Sequence, residues 1–252
     1  MKTLYSGQTD IGRKRPFNED RFLCLELSGP AAGGDPWVLL AVADGIGGHA
    51  AGEVASTMAV EILKEDVTRK GAARGTDALT GKVLEESFLK ANREIFQRAA
   101  QSAELKGMGT TLVAALIDGN RSIAANVGDS RLYLVRDAAM SQISHDHSWA
   151  AEQKRGRGLT AEDISRSPFH NMVTRSIGYT ETIMVDTFTV DLRTGDALLL
   201  CTDGLHGPLA DHDILRIIRK HHDPEDAAAA LLKAANKAGG RDNITAVVAR
   251  IE

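Results

Sequence analysis

The amino-acid sequence predicts an α+β fold, with antiparallel sheet carrying helices on its outer faces. Three observations lead there. Apolar runs of strand length, residues 37–43, 111–117 and 197–201 among them, are bounded by glycine and aspartate turn signals. Strand-like runs come in groups around two long helical patterns, so the strict strand–helix alternation of a parallel sheet is missing. Finally, 252 residues that are 43% hydrophobic and 25% charged can bury a substantial core, which excludes a disordered chain.

The elements follow in order. Residues 21–27 and 37–43 read as strands joined across a Gly/Pro-rich loop, residues 29–36. That loop is short enough to be a hairpin connection rather than a linker, and residues 1–252 are expected to form one domain. Helical patterns cover 50–70 and 77–105, the first with Val54, Met58 and Ile62 at helical spacing. Short strands then occupy 111–117, 122–127 and 131–135, divided by Asp-Gly-Asn and Gly-Asp-Ser turns. Residues 144–178 are polar and weakly periodic: a long loop or a small helical insertion. Strands at 185–190 and 197–201, a helix at 224–237 and a strand at 244–251 complete the chain.

Charge and composition narrow the class further. Thirty basic against 34 acidic residues give a net charge of −4, which argues against a general nucleic-acid binder. Two cysteines, Cys24 and Cys201, cannot staple a chain of this length and suggest a reducing compartment. The first residues lack the apolar core of a signal peptide, and no apolar run is long enough to cross a membrane. A cytoplasmic protein without a membrane span is expected.

The most informative pattern is a recurrence of aspartates. Three apolar runs each end in an aspartate beside a glycine: Asp44-Gly45, Gly128-Asp129 and Asp203-Gly204. Asp242 stands just before the last strand, and Glu19-Asp20 just before the strand at 21–27. One Asp-Gly alone is a hairpin turn. Several at the ends of buried strands would repel one another and be costly to desolvate without a compensating cation. No matching set of lysines or arginines accompanies them, so a hard divalent cation is the economical answer, Mg²⁺ or Mn²⁺ held by carboxylate and carbonyl oxygens. Zinc is disfavoured, because no Cys-x-x-Cys pair or His-Glu-x-x-His spacing exists; His145-Asp146-His147 falls in a polar loop and reads as surface.

Carboxylate-bound metal commonly serves phosphoryl chemistry, and Arg13, Lys14 and Arg15 lie close before the acidic pair, where one arginine can clamp a phosphate. Alone, they would be a solvated basic turn. Rival phosphate devices fail on spacing: residues 75–83 carry one residue too many for a Walker loop, and neither cysteine has an arginine six residues on. Gly45-x-Gly47-x-x-Ala50 fits a dinucleotide fingerprint formally, but Asp44 would face the pyrophosphate with like charge.

Taken in order, these motifs resemble the bacterial branch of the metal-dependent type-2C (PPM) serine/threonine protein phosphatases. The resemblance rests on Asp10-x-Gly12-x-x-Arg15-x-x-Asn18-Glu19-Asp20, on Asp44-Gly45 with His49, Gly52 and Glu53, on Gly107 to Thr111, on Gly128-Asp129-Ser130-Arg131, on Thr202-Asp203-Gly204, and on Asp242-Asn243-Ile244-Thr245. It implies a four-layer α-β-β-α sandwich, two antiparallel sheets flanked by helices. It further implies that Asp44 bridges two Mn²⁺ or Mg²⁺ ions, the second touching the Gly45 carbonyl. Asp203 and Asp242 complete the first ion's ligands, Glu19 and Asp20 hold metal-bound waters, and Asp129 joins Asp203 at a weaker third site. Arg15 binds the substrate phosphate, and a metal-bridging hydroxide attacks phosphorus in line. The expected substrates are phosphoserine and phosphothreonine proteins, with a bacterial Ser/Thr kinase as counterpart and a monomeric enzyme.

His49 is the nearest histidine to the bridging aspartate and the candidate general acid for the serine leaving group, although its spacing differs from the Asp-Gly-His of eukaryotic relatives. Residues 144–178 match the family's flap beside the catalytic centre. Within them Lys154-Arg155-Gly156-Arg157 is a basic run that the family does not require, either a recruiter of acidic phosphopeptides or a solvated loop. His206-Gly207-Pro208 also departs from the usual pattern after Asp203. A non-catalytic binding module of the same fold is the alternative, and retention of the full ligand set counts against it.

Overall fold

Two antiparallel sheets build the molecule, which the computed structural model describes over residues 1–27, 36–47, 50–74, 81–170 and 172–252. One sheet has the order β1 (Thr3–Asp10), β11 (Ile244–Ile251), β10 (Ala197–Cys201), β7 (Arg131–Arg136) and β8 (Ala139–Gln142). The other runs β2 (Asp20–Leu27), β3 (Trp37–Ile46), β5 (Leu112–Asp118), β6 (Arg121–Val127) and β9 (Asp186–Asp191), with the two-residue β4 (Gly109–Thr110) on the end of β3. Helices α1 (Ala50–Arg74) and α2 (Gly81–Ala100) cover the second sheet. Helices α6 (Asp211–Lys220) and α7 (Pro224–Lys237) cover the first. The order of layers is therefore α-β-β-α, as the sequence predicts.

The period of two in a strand explains why central strands are apolar at almost every position. On β3, Leu39, Ala41 and Ala43 pack in the core under α1 and α2. Val38, Leu40 and Val42 join the core between the sheets, where they meet Leu198 and Leu200 of β10 and Val247 and Ala249 of β11. Leu199, Cys201, Ala246 and Val248 belong to the third core, with Ile214 and Ile218 of α6 and Leu231 of α7. Both faces of the central strands are thus buried, and a one-residue slip would exchange two cores at once.

Antiparallel pairing gathers strand ends. Register sets Asp20, the first residue of β2, opposite Asp44 near the end of β3, and Asp10 of β1 opposite Ile244 at the start of β11. Cys201 ends β10 opposite Arg131, which begins β7. The acid-bearing turns therefore lie at one end of the sandwich.

Most expected elements are present, with shifted bounds. The helix expected over 77–105 divides into α2 and a separate 3₁₀ turn, Ala103–Leu105; residues 77–80 lie outside the described set. Residues 144–178 carry two short helices, α3 (Trp149–Arg157) and α4 (Ala161–Ser165). Their starts are set by caps: the Ser148 hydroxyl accepts from Ala151 N, and Thr160 with Asp163 forms a reciprocal capping box. The single turn α5 (Asp203–His206) and the longer α6 occupy a stretch for which the sequence reading names no element.

Helices α1 and α2 are tied together by a buried carboxylate. Asp66 is 1% exposed and receives Lys70 Nζ at 2.7 Å and the Ser87 hydroxyl of α2 at 2.8 Å. Burial alone would push its carboxyl up, but bonds from Lys70, Ser87 and Arg69 hold it well below the usual carboxylate range. Asp66→Ala leaves buried partners unmatched and is expected to cost about 3 kcal/mol in urea unfolding. The deficit should shrink as pH falls far enough to protonate Asp66 in the native protein; a deficit independent of acid pH would assign the loss to packing alone.

Candidate metal centre

The backbone around the gathered strand ends is held before any ligand is considered. Asp44 N donates to Thr111 Oγ1 at 2.9 Å, and Asp44 O accepts from Thr111 N and from the Thr110 hydroxyl, both at 2.9 Å. The Thr111 hydroxyl in turn pairs with Ser130 at 2.7 Å, so one threonine joins the Asp44 and Asp129 turns. Asn243 bridges the opposite side: its Oδ1 accepts from Glu19 N at 2.8 Å, and its Nδ2 donates to Ile11 O and Phe17 O at 2.9 Å. Glu19 O accepts from the Ser56 hydroxyl of α1 at 2.6 Å and from Gly45 N at 3.2 Å.

Glycine is required where these chains approach. A Cβ at Gly45 would stand 2.3 Å from Gly52 O and 2.8 Å from Glu19 O. Gly128 has φ +111°, and a Cβ there would meet Thr111 side-chain carbons at 2.6 Å. Both contacts are shorter than any side chain tolerates, so the glycines of the Asp-Gly and Gly-Asp pairs serve packing as well as turning.

Above this frame lies a cleft of about 580 Å³ lined by Arg15, Glu19, Asp44, Gly45, Asp129, Asp203 and Asp242. Its other wall comes from residues 172–179, notably Met172, Val173 and Tyr179. Asp20 sits behind the lining, 1% exposed, with Oδ2 accepting from Thr202 at 2.8 Å and Thr245 at 2.6 Å. Sequence-predicted acids from five separate stretches of chain are therefore brought together. His49 lies outside the described residues. The sequence motifs contain Thr111, Thr202, Asn243 and Thr245 but give them no role; here they fix the acids.

Electrostatically the cluster is unbalanced. Burial, and then the neighbouring Asp20, Asp203, Asp129 and Asp242, hold the Asp44 carboxyl well above the usual carboxylate range. Burial pushes Asp20 up to about 7 against its two threonine bonds, with Asp203 and Asp242 adding to the rise. Asp129 is likewise pushed up to about 7 by burial and by Asp203 and Asp146. Asp203 moves upward by burial and by Asp242. Among the described residues Arg15 is the cation paired with this cluster: its Nη2 donates to Asp242 Oδ2 at 2.6 Å.

Among the described residues no three carboxylate, imidazole or thiolate groups close into a finished cage. The acids have internal partners instead: Arg15 takes Asp242, and Asp44 hydrogen-bonds Asp203. Asp20 Oδ1 and Asp203 Oδ1 are buried with no partner. Two orphaned carboxylate oxygens, crowded like charges and oxygen-only donors are the chemistry that a hard divalent cation satisfies. The residues present fit such an ion.

His206 helps define the outer edge. Burial pushes its imidazole down to about 3, so it is neutral, and Nε2 donates to Asp129 O at 3.1 Å. The histidine that departs from the family's pattern thus latches α5, which carries Asp203, to the Asp129 turn. On the flap side His147 does comparable work: Gly128 N donates to its Nδ1 at 3.0 Å, and its own N–H returns to Gly128 O at 3.0 Å.

Comparison with known proteins agrees with this architecture. Residues 6–244 match the family model of protein phosphatase 2C. The serine/threonine phosphatase stp of Listeria innocua is 37% identical over 241 residues, covering 96% of this chain and 93% of its own. Among solved structures, the serine/threonine phosphatase of S. agalactiae superposes with a TM-score of 0.89 at 33% identity, covering all of both chains. The catalytic domain of the phosphatase PstP, in complex with two manganese ions, does so at 0.82 with 32% identity over 98% of this chain and 97% of that one. Agreement in sequence over nearly its whole length, and in fold over all of it, makes this chain a member of the protein phosphatase 2C family, a metal-dependent protein-serine/threonine phosphatase.

Proposed function

We propose that phosphoserine and phosphothreonine monoesters are hydrolysed in the acid-lined cleft, with Asp44, Asp203 and Asp242 as the metal ligands. Gly45 would offer its carbonyl, and Glu19 and Asp20 would hold waters around the ions. Asp129 with Asp203 would make a weaker third position. The observation that carries this reading is the pair of orphaned buried oxygens, Asp20 Oδ1 and Asp203 Oδ1, inside a cluster of acids raised first by burial and then by one another. The ions, two Mn²⁺ or Mg²⁺, would supply Lewis acidity and an activated water.

The chain's own residues do the rest. Arg15 is 48% exposed at its side chain and is held by one carboxylate, so it can exchange Asp242 for a phosphoryl oxygen without leaving its place. A planar guanidinium suits that role better than an ammonium, because two parallel N–H donors orient the phosphate. The frame of Thr111, Ser130, Asn243 and Ser56 keeps the acids from rearranging as charge develops, which is the condition for electrostatic stabilisation of a transition state. Met172, Val173 and Tyr179 give the cleft a less polar wall that limits water on the substrate side. Residues 1–252 are read as one catalytic domain with a flap at 144–178. No helix among the described residues is long and apolar enough to cross a membrane; a cytoplasmic monomer opposing a Ser/Thr kinase is the cellular setting proposed.

Removing a ligand is the direct test. Asp203→Asn should lower kcat on a phosphothreonine peptide by at least about a hundredfold while the far-ultraviolet spectrum is unchanged. Near-wild-type turnover with a correct fold would sink the metal assignment.

The proposed role of His49 as proton donor predicts a dependence on the leaving group. A serine alkoxide needs a proton, whereas p-nitrophenolate departs without one. His49→Gln is expected to slow phosphoserine peptide hydrolysis by roughly 10²-fold or more and to spare p-nitrophenyl phosphate. Equal losses on both substrates would assign His49 a structural role.

Linkage gives a third expectation. The folded-state values of about 7 for Asp20 and Asp129 exceed the ~3.9 of an unfolded aspartate. Without metal the native state therefore binds protons more tightly than the unfolded state, and this site's contribution to stability falls as pH rises from about 4 to 7. Metal binding requires the deprotonated acids and works in the opposite direction. The increase in Tm that Mn²⁺ gives over chelator should accordingly grow between pH 5 and 7.5. Groups such as Asp66 titrate equally in both arms and cancel. An increment flat in pH would contradict the assignment of these acids.

A further inference from the structure

A second depression, about 730 Å³ in volume, lies between the flap and the strands at its base. Ala150, Ala151 and Ile164 supply apolar surface, and Lys154, Arg155 and His145 stand around it. It shares two walls with the catalytic cleft. Ser148 lines this groove and bridges to Val173, which lines the cleft. Arg131 lines the groove and follows Asp129 of the cleft by two residues. The two depressions are therefore neighbours, joined by one β-bridge and one short run of chain.

Among the described side chains, the cations of the flap and its base divide into two groups. Arg131 is consumed by Asp146, donating from Nε and Nη2 at 2.7–3.1 Å, and burial isolates the pair. Arg166 pairs with Glu162, and Arg175 with Asp186. Lys154 and Arg155 differ: both are exposed, neither has an ion pair among the described residues, and Arg155 donates to the Asp146 carbonyl at 3.3 Å. Asp146, the acid lining the groove, is already matched by Arg131. The groove therefore presents uncompensated positive charge over an apolar floor, beside a cleft whose own lining is acidic. That juxtaposition selects for a ligand with negative charge outside the reacting phosphate.

We infer that this groove docks an acidic segment of the phosphoprotein substrate, Asp or Glu residues flanking the phosphorylated serine or threonine, through Lys154 and Arg155. The inference rests on the phosphatase reading of the cleft, and the groove takes no part in the chemical step. Its effect is to raise the affinity for acid-flanked substrates, so it acts on KM rather than kcat and weakens with salt.

The test compares the Mn²⁺-loaded wild-type enzyme with Lys154→Glu/Arg155→Glu on three substrates. These are a phosphothreonine peptide with glutamates on both flanks, the same peptide with glutamines in their place, and p-nitrophenyl phosphate. Charge reversal is expected to raise KM for the acidic peptide about tenfold, to leave kcat and both other substrates within about twofold, and to remove the wild-type enzyme's salt sensitivity towards the acidic peptide. Lys154→Ala/Arg155→Ala should give an intermediate KM. An unchanged KM for the acidic peptide overturns the inference, as does an equal loss on all three substrates, which would mark a structural effect. Lack of p-nitrophenyl phosphate turnover in the wild-type enzyme would instead overturn the reading of the cleft.

Discussion

Burial of a cluster of mutually repelling carboxylates is the constraint on which the rest of this molecule depends. Asp20, Asp44, Asp129 and Asp203 are all raised above ordinary carboxylate behaviour, and burial is the largest cause in each. A fold that collects such groups at one end gives up stability there. The loss is tolerable because the remainder is over-determined: three apolar cores, strands buried on both faces, and hydrogen bonds from Thr111, Asn243 and Ser56 that leave the acid-bearing turns little freedom. Destabilisation concentrated in a rigid frame is what preorganises a site for cations.

The hydroxyls and amides in that frame explain why the acids come from distant parts of the chain. Thr202 and Thr245, on adjacent segments of one sheet, both donate to Asp20 Oδ2, which belongs to the other. Asn243 ties Glu19 to the loop after β1. These bonds cross between the sheets at the end where the apolar core runs out. A polar seam of this kind fixes relative position more narrowly than apolar packing does, because each bond has a direction.

Much of this was legible in the sequence, and the exceptions have physical reasons. Asp44, Asp129 and Asp203 stood out because an apolar run ending in aspartate beside glycine recurs with no matching set of cations, and Asp242 because it stands just before the last strand. The central strands were legible because burial on both faces makes them continuous apolar runs, as at Trp37 and in residues 197–201. Strand β1 was not: Thr3–Asp10 is polar, only partly buried, and pairs on one side with β11 alone. Helix α6 was legible in principle: Ile214, Leu215, Ile217 and Ile218 recur at helical spacing in a ten-residue element whose other positions are polar or charged. The depth of Asp20, behind rather than in the cleft, goes with the Thr202 and Thr245 hydroxyls that hold it from the other sheet, and such cross-sheet contacts are invisible in the sequence. His206 read as a departure from the family's pattern; its role emerges only when Asp129, far away in sequence, is found at its Nε2.

Arg15 shows how the same electrostatic problem connects structure to turnover. Its bond to Asp242 lets one cation neutralise an acid that the proposed chemistry assigns to metal. On the proposed assignment, divalent ions would take Asp242 from Arg15 and leave the guanidinium free at the mouth of the cleft, where an incoming phosphate needs a partner. Loading the acids and freeing the phosphate clamp would then be one exchange of partners rather than two separate events. The positive groove beside the flap extends the argument outward. An acidic cleft repels the phosphorylated segments it must accept, and charge at Lys154 and Arg155, which line the groove and not the cleft, would offset that repulsion.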